Sequence, residues 1–228
     1  MLALRRDMNA DLIRHTLVNT TRAFPTGTTF DCDTATCGTG ILDAGNAAKI
    51  AKSRHRGGLF HTAAIRADGA VTAWGFNGNG QLGSGEAFGV LRTSPGTPIT
   101  VLPNAADLAT GYYHNVAAML DGTVWTWGYN AQSQLGNGST TDRANPVQVT
   151  GLTNVIAVAA GDRHTLALRG DGTVWAWGYN FFGQLGVGPF DFTDRATPVQ
   201  VVGLSNVLAI VGGGKRSMAL RNDGTVWA

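Results

Sequence analysis

Short apolar stretches alternate with glycine-rich turns from about residue 58 onward. In "TVWAWG" (173–178), Val174 and Ala176 lie on one side of an extended chain and Trp175 and Trp177 on the other, which is the two-residue period of a β-strand. "NVIAVAAG" (154–161), "HTLALR" (164–169) and "TPVQVVG" (197–203) are also strand-like, and the proline of the last suits a first or edge position. Gly-Asp-Gly (170–172) predicts a hairpin turn, because glycine and aspartate tolerate positive φ. We therefore expect four antiparallel strands in this unit.

The unit is repeated along the chain. Asp-Gly recurs at 68–69, 121–122, 171–172 and 223–224, Trp-Gly at 74–75, 127–128 and 177–178, and Gln-Leu-Gly at 81–83, 134–136 and 184–186. The Asp-Gly spacings of 53, 50 and 52 residues indicate stacked supersecondary units. Four strands per unit, apolar on both faces, are typical of a propeller blade packed between neighbours. Glycine, 32 of 228 residues and about twice ordinary usage, fits many short strands joined by tight turns.

The fold class predicted is all-β: a partial β-propeller of about three four-stranded blades plus a fourth begun, preceded by a short helical segment. The expected organisation is an N-terminal segment 1–50, a basic linker 51–57 and propeller repeats over 58–228. The units are placed at about 58–110, 111–160 and 161–212, with a partial unit at 213–228. Residues shared by every copy are expected to do the same packing in every blade.

The shared residues are read as scaffold. They are His61, His114 and His164, seven residues before an Asp-Gly, and the strand tryptophans Trp74, Trp125, Trp127, Trp175, Trp177 and Trp227. We expect the histidine ring nitrogens to bond to the backbone at the blade corners. Three histidines about 50 residues apart could meet only near a propeller axis, so neither a metal site nor a cofactor is predicted.

Function is expected where the copies differ. The segment between Gln-Leu-Gly and the proline that opens the next strand is longer in copies one and three, where it carries "EAFGVLR" (86–92) and "PFDF" (189–192). In addition, "FF" (181–182) follows the third Trp-Gly. Exposed aromatics in such loops often mark partner surfaces. The predicted binding residues are therefore Phe88, Arg92, Phe182, Phe190 and Phe192. The alternative is that these aromatics fold back onto their own blade.

The stretch "GDRHTLALRGDGTVWAWGYNFFGQLG" (161–186) resembles the repeat of the regulator of chromosome condensation family, a seven-bladed propeller. The resemblance covers about 58–228. Members of that family include a nucleotide-exchange factor that acts on a small GTPase and itself docks on nucleosomes. Another member is a plant sensor of ultraviolet light that uses clustered tryptophans. Neither role is expected here, since no basic nucleosome-facing segment is evident and these tryptophans belong to the shared strand motif. Nucleotide exchange is kept as a second alternative to simple binding.

The first fifty residues read differently. "RRDMNADLIRHTLVNTTRAFP" (5–25) predicts an amphipathic helix, and an alanine-rich helix is expected near 43–52. Cys32 and Cys37 are the only cysteines; their spacing allows a small disulfide loop and is a poor zinc site, because zinc prefers four ligands. A disulfide implies an oxidising compartment, so a secreted, extracellular or periplasmic location is expected.

"LVNTTRAFP" (17–25) and "CDTATCGTGILDA" (32–44) resemble the C-terminal end of the catalytic domain of subtilisin-like serine proteases. The Gly-Thr-Ser-Met-Ala motif that carries that family's nucleophile does not occur in this chain, and no triad residue carries over. Without a nucleophile and its base there is no acyl transfer. We therefore predict no enzyme activity; serine-type endopeptidase activity, present only in a full-length parent, is the alternative.

The remaining expectations concern partners. The net charge of +2 is scattered and gives no basic stripe for nucleic acid, and no apolar run approaches the ~20 residues of a membrane helix. The chain is predicted to be a fragment of a secreted protease–propeller protein that binds a protein or cell-surface partner. Its other expected contacts are the parent's remaining blades and its protease domain. Expressed alone, it is expected to show poor solubility or oligomerisation, since an unclosed propeller exposes apolar faces.

Overall fold

The computed structural model describes residues 56–66, 68–86, 88–89, 91–93 and 102–228. The predicted helices, the Cys32–Cys37 pair and the protease-like stretches lie outside the described residues. The described residues form fifteen strands in four antiparallel sheets, here called blades 1 to 4. No helix long and apolar enough to cross a membrane occurs in the part of the chain that the structure describes.

Each blade uses its strands in chain order. Blade 1 contains β1 (Arg56–Gly57), β2 (His61–Ile65), β3 (Val71–Phe76) and β4 (Leu91–Arg92), and blade 2 contains β5 (Ala105–Thr110), β6 (His114–Met119), β7 (Val124–Gly128) and β8 (Arg143–Gln148). Blade 3 contains β9 (Val155–Ala160), β10 (His164–Arg169), β11 (Val174–Gly178) and β12 (Arg195–Gln200). Blade 4 contains β13 (Val207–Gly213), β14 (Arg216–Arg221) and β15 (Val226–Trp227).

The blades stack through their first strands. β5 packs against β9 and β9 against β13, so the first strand of each blade lies innermost. Three four-stranded blades and a further three-stranded one confirm the predicted partial propeller.

The Asp-Gly turns form the hairpins that the sequence predicts, and the two residues have different roles in the turn. At 169–173 the Gly172 N–H donates to the Arg169 carbonyl at 3.0 Å, and Gly172 has a φ of 79°. The Asp171 Oδ1 accepts the Thr173 N–H at 3.0 Å. The glycine therefore supplies the left-handed conformation and the aspartate caps the turn.

The core is made of layers between consecutive blades. Trp127 is fully buried among residues of blades 1 and 2, and Trp177 among residues of blades 2 and 3. Trp125 and Trp175, two residues earlier on the same strands, are half-buried at the edges of these clusters. Trp74 is also half-buried, and Trp227 is 47% exposed. Equivalent tryptophans thus have different burial according to the blade that covers them.

The Gln-Leu-Gly segment of one blade receives polar groups from the next. The Gln81 carbonyl accepts the Trp127 Nε1–H at 3.1 Å and the Asn115 Nδ2–H at 2.8 Å. The Gln134 carbonyl accepts the Trp177 Nε1–H at 2.9 Å and the Thr165 hydroxyl at 2.8 Å. Each interface between these blades is therefore fixed by an indole and a short polar side chain that share one acceptor.

The histidines belong to the same network. The distances from Nε2 are 2.9 Å between His61 and Asn115 Oδ1, 3.0 Å between His114 and Thr165 Oγ1, and 2.9 Å between His164 and Ser217 Oγ. The sequence predicts backbone partners for these rings, and backbone groups of His164 and Arg216 interact with the rings of His114 and His164. Each Nε2 also contacts a side chain of the next blade, which only the packed structure brings near. Because the Asn115 Oδ1 is an acceptor only, His61 Nε2 is the donor of this hydrogen bond. Burial lowers the pKa of His114 to about 3 and the pKa of His61 and His164 to about 4.

A glycine three residues before each histidine makes room for the ring. A Cβ on Gly111 would lie 2.1 Å from the His114 Cε1 and 2.6 Å from the Gly161 carbonyl oxygen. We expect Gly111→Ala to lower the free energy of unfolding by about 3 kcal/mol, because ring and backbone are both fixed. Gly213→Ala is the matched control, since nothing lies within 4 Å of its Cβ position. Urea denaturation measures both variants, and equal midpoints would contradict the prediction.

Candidate functional site: an aromatic loop face

The antiparallel path sends two connections of every blade to the same end of the propeller. The turn between the first and second strands and the loop between the third and fourth strands both lie there, and the Asp-Gly hairpins lie at the opposite end. We call the first end the loop face. A blade therefore presents one short turn and one long loop on this face.

Every phenylalanine and tyrosine of the described residues lies on the loop face, in these connections or at the strand end that enters them. They are Phe60, Phe76, Phe88, Tyr112, Tyr113, Tyr129, Tyr179, Phe181, Phe182, Phe190 and Phe192. None of them is fully buried. Exposed aromatics at this density, gathered at one end, are typical of a binding surface.

Eight of these rings form two groups. In the first, Phe60 lies 6.4 Å from Phe76 and 6.1 Å from Tyr113 between ring centroids, and Tyr113 lies 6.4 Å from Tyr112 and 6.3 Å from Tyr129. In the second, Tyr179 stacks with Phe181 at 6.3 Å, and Phe181 meets Phe182 edge-on at 5.2 Å. These are ordinary aromatic pair geometries, which hold the rings in place while their outer faces stay in contact with solvent.

A rigid loop carries the second group. The Asn180 Oδ1 accepts the Leu185 N–H and the Gln184 Oε1 accepts the Phe182 N–H, both at 3.0 Å. The same two bonds recur in the loops of blades 1 and 2. Phe181 and Phe182 replace the Gly78-Asn79 and Ala131-Gln132 of those loops. The loop is thus held by its own side chains, and blade 3 presents two phenylalanines from it.

Two arginines of the loop face form ion pairs within their own loops. Arg92 forms an ion pair with Glu86, and Arg195 with Asp191. Lys215 Nζ lies 4.4 Å from the centroid of the Phe182 ring, a cation–π contact. A hydrogen bond to Asp162 raises the pKa of the Tyr112 hydroxyl. Exposed arginines such as Arg143, Arg163 and Arg216 lie at the same end, so the loop face presents positive charge as well as aromatic rings.

The five residues predicted to bind all lie on the loop face. Phe190 is 92% exposed, and Phe88, Phe182 and Phe192 are also exposed. Arg92 is held by Glu86 in its own loop. The sequence reasoning missed Phe60, Tyr112, Tyr113 and Phe181, together with the ring that follows each Trp-Gly (Phe76, Tyr129 and Tyr179). The recurrence of aromatics at equivalent positions is the signal in the sequence, and the interpretation of recurrent residues as scaffold hides it.

The histidines do not form a shared site. His61, His114 and His164 lie in separate corners, each bonded to the next blade. Within the described ranges, no three side chains of histidine, cysteine, aspartate and glutamate lie close enough together to hold a metal ion.

Comparison with known families agrees with this architecture. The model of the regulator of chromosome condensation (RCC1) repeat matches residues 68–118, 121–168 and 171–220. These three matches cover more than half of the chain.

The chain belongs to the RCC1 repeat family.

Curated relatives resemble the chain in sequence, and a solved structure resembles it in fold. The ultraviolet-B receptor UVR8 of Arabidopsis thaliana is 32% identical over 174 residues, which cover 73% of this chain and 38% of the receptor. The regulator of chromosome condensation of Xenopus laevis is 36% identical over 42% of this chain and 22% of its own length. The chain thus spans less than half the length of either relative. Yeast RCC1 (Prp20), solved bound to Kap60, has a TM-score of 0.65 and 22% identity over 76% of this chain and 42% of its own, which shows the shared fold.

Proposed function

We propose that this RCC1-repeat chain is a non-catalytic binding module that recognises a protein partner through the loop face. The observation that carries the proposal is the collection of all described phenylalanines and tyrosines at one end of the propeller. Aromatic side chains provide large contact areas with few rotatable bonds, and they are enriched among the residues that dominate protein–protein affinity.

The pre-formed geometry strengthens the proposal. Phe181 and Phe182 are carried by a loop whose backbone is fixed by Asn180 and Gln184, so little conformational entropy is lost when a partner covers them. The opposite end differs in character, because ion pairs flank its Asp-Gly turns, such as Arg169 with Asp171 at 3.0 Å. Exposed pairs of this kind contribute little to affinity. The aromatic end is therefore the surface expected to bind.

Peptides selected from a random display library on the intact chain test this proposal. We expect the selected binders to lose at least about 30-fold in affinity for the double variant Phe181→Ser/Phe182→Ser, since each ring is a candidate hot spot. Both residues are exposed, so thermal melting should be nearly unchanged. The control is Arg169→Ala/Asp171→Ala at the opposite end. Binders that are sensitive to the control and indifferent to the phenylalanine variant would contradict the proposal.

A finer proposal concerns the N-terminal segment. We infer that the blades position a secreted serine protease of the subtilisin-like class, and that the Cys32–Cys37 pair is oxidised in that location. The support is the resemblance of residues 17–25 and 32–44 to that family and the spacing of the two cysteines. The 228-residue chain itself lacks the family's nucleophile motif.

A fluorophosphonate probe tests whether the 228-residue chain itself contains an activated serine. We expect no covalent labelling of the 228-residue chain, because no serine is activated by a histidine in a Gly-Thr-Ser-Met-Ala context. An active subtilisin labelled in parallel is the positive control. Stoichiometric labelling of one serine in this chain would overturn the non-catalytic assignment.

A further inference from the structure

Three arginines occupy the same position in blades 1, 2 and 3. In the antiparallel pairing of the last two strands of each blade, the arginine lies opposite the glycine of Trp-Gly. The pairs are Gly75 with Arg92, Gly128 with Arg143 and Gly178 with Arg195. The backbone therefore brings three guanidinium groups to equivalent places at the loop end of these blades.

Blades 1 and 3 neutralise this arginine from their own loops. The Arg92 Nε–H donates to the Glu86 carboxylate at 2.9 Å, and Arg195 forms an ion pair with Asp191. Arg143 of blade 2 is exposed and forms no ion pair with any residue that the structure describes. One of three equivalent guanidinium groups thus has no carboxylate partner.

A serine in the loop of blade 2 accounts for this difference. Ser139 precedes Arg143 by four residues, as Asp191 precedes Arg195. Each side chain accepts the N–H of the threonine two residues later, at 3.0 Å for Ser139 and 3.1 Å for Asp191. Each backbone carbonyl accepts the side-chain amide of the loop asparagine at 2.8 Å. Blade 2 therefore keeps the loop geometry of blade 3 and has a hydroxyl group in place of the carboxylate.

The neighbouring Asp142 does not replace the missing carboxylate. Its Oδ1 accepts the Asn130 N–H at 2.8 Å, and its Oδ2 accepts the Asn79 Nδ2–H of blade 1 at 2.9 Å. Both oxygens thus bond to uncharged donors that hold the loops of blades 1 and 2 together. Arg143 can therefore bind a carboxylate from outside without breaking a contact within the chain.

The first aromatic group lies beside this arginine. Tyr129 directly follows Gly128, the residue opposite Arg143, and its ring centroid is 6.3 Å from that of Tyr113. A guanidinium group donates two parallel hydrogen bonds to a carboxylate, and aromatic rings offer apolar contact area. This part of the loop face therefore matches an acidic residue that is flanked by a large apolar one.

The acidic residues of the loop face disfavour a polyanion such as nucleic acid. A chain of phosphates needs several cations along its path, whereas a single carboxylate needs one free guanidinium group. Carboxylates spread over the same end repel further negative charge. They are Glu86, Asp142, Asp162, Asp191 and Asp194.

We propose that Arg143 is the carboxylate-binding residue of the loop face, and that the partner supplies an aspartate or glutamate beside a large apolar side chain. The inference rests on the proposed function, since it names the chemistry of the partner that the loop face binds. Of these three blades, blade 2 leaves the repeated arginine to a partner, and blades 1 and 3 satisfy it internally.

Two matched peptide display libraries on the intact chain are the probe. They share the same randomised flanks, and the fixed central residue is Glu in one and Gln in the other. We expect binders from the Glu library, each at least about 10-fold weaker when its Glu is changed to Gln or when the chain carries Arg143→Gln. Thermal melting should be unchanged, because Arg143 is exposed. Arg169→Gln, at the opposite end, is the control and should bind as the wild type does.

Ser139→Asp tests the same site without altering the arginine. It supplies the carboxylate that blade 3 has at this position, so it should pair with Arg143 and weaken the Glu peptides at least about 10-fold. Thr140→Asp adds the same charge at the next, exposed residue and is the matched control. It should weaken binding by less than about 3-fold, since only screened repulsion acts.

Three results would overturn the proposal. Binders that are lost in Phe181→Ser/Phe182→Ser, but come equally from both libraries and tolerate Arg143→Gln, would remove this inference and leave the proposed function standing. A chain that melts cooperatively and yields no binder from either library would remove both. A single-stranded oligothymidine that requires Arg143 and displaces the Glu peptides at lower concentration than they displace one another would assign the site to nucleic acid.

Discussion

Lowering the pH from 7 to 5 is expected to reduce the free energy of unfolding of this chain by about 5 kcal/mol, because three buried histidines stay neutral in the folded state. Burial lowers the pKa of His61 and His164 to about 4 and that of His114 to about 3, whereas an unfolded histidine titrates near 6.5. Between these values the unfolded chain takes up protons that the folded chain does not. The stability is therefore complete above pH 6.5 and is lost as the pH falls from there towards 4.

The size of the effect follows from the same linkage. Each histidine accounts for just under about 2 kcal/mol of the loss between pH 7 and pH 5. The three losses together are a large part of a typical domain's total free energy of unfolding. The carboxylates with lowered pKa values, such as Asp171, which is hydrogen-bonded to Thr173, lose their contribution only at lower pH, below about 4. The window between pH 6.5 and 5 therefore reports on the histidines.

Denaturant titrations at pH 7, 6 and 5 measure this dependence. His114→Gln is the informative variant, since its amide can still donate to Thr165 while it no longer titrates. It should be less stable at pH 7 and lose about a third of the pH dependence. An unfolding midpoint that is the same at pH 7 and pH 5 would show that the rings are protonated or accessible in the folded chain.

Trp177→Ala is expected to cost about 3–5 kcal/mol, the range for removing a fully buried large aromatic side chain. The indole is completely buried between blades 2 and 3, and its N–H donates to the Gln134 carbonyl at 2.9 Å. Its removal leaves a cavity at the interface and takes one of two donors from that carbonyl. Trp177→Phe separates the two effects, because it keeps most of the ring and loses the hydrogen bond, at about 1–2 kcal/mol.

Trp175 of the same blade and Trp227 of blade 4 are the controls for this variant. Trp175 lies on the same strand and is half-buried, so Trp175→Ala should cost clearly less than Trp177→Ala. Trp227 is 47% exposed, and Trp227→Ala should cost under about 1 kcal/mol. Chemical denaturation gives all three values. A loss for Trp175→Ala as large as that for Trp177→Ala would contradict the assignment of Trp177 as the residue that fixes the interface.

The scaffold and the proposed binding surface are built from different aromatic residues. The two fully buried tryptophans lie in strands and seal the contacts between blades, whereas the described phenylalanines and tyrosines lie in turns, in loops or at an adjoining strand end, all at one end of the propeller. Substitutions on the loop face therefore test binding with little change in stability. Substitutions such as Trp177→Ala test the fold itself.

What the sequence by itself determined is the local structure and the period. Alternation along "TVWAWG", the Asp-Gly turns and the repeat near 50 residues specify strands, hairpins and stacked blades, because strand alternation and the conformational freedom of glycine act within a few residues. The blade topology then places the first turn and the third loop of every blade at one end. This is why residues chosen only as variable loop positions, such as Phe88 and Phe190, lie on the same face.

Only the tertiary structure decided how deeply each residue of a repeated type is buried and which hydrogen-bond partner it has. Trp175 and Trp177 share one side of a strand, so alternation cannot tell which is buried; the Gln134 carbonyl of the preceding blade decides it. The partners of the histidines, Asn115, Thr165 and Ser217, lie more than 50 residues away, and no local pattern signals them. Burial and hydrogen-bond partners are set between blades, and contacts between distant segments exist only once the chain is packed.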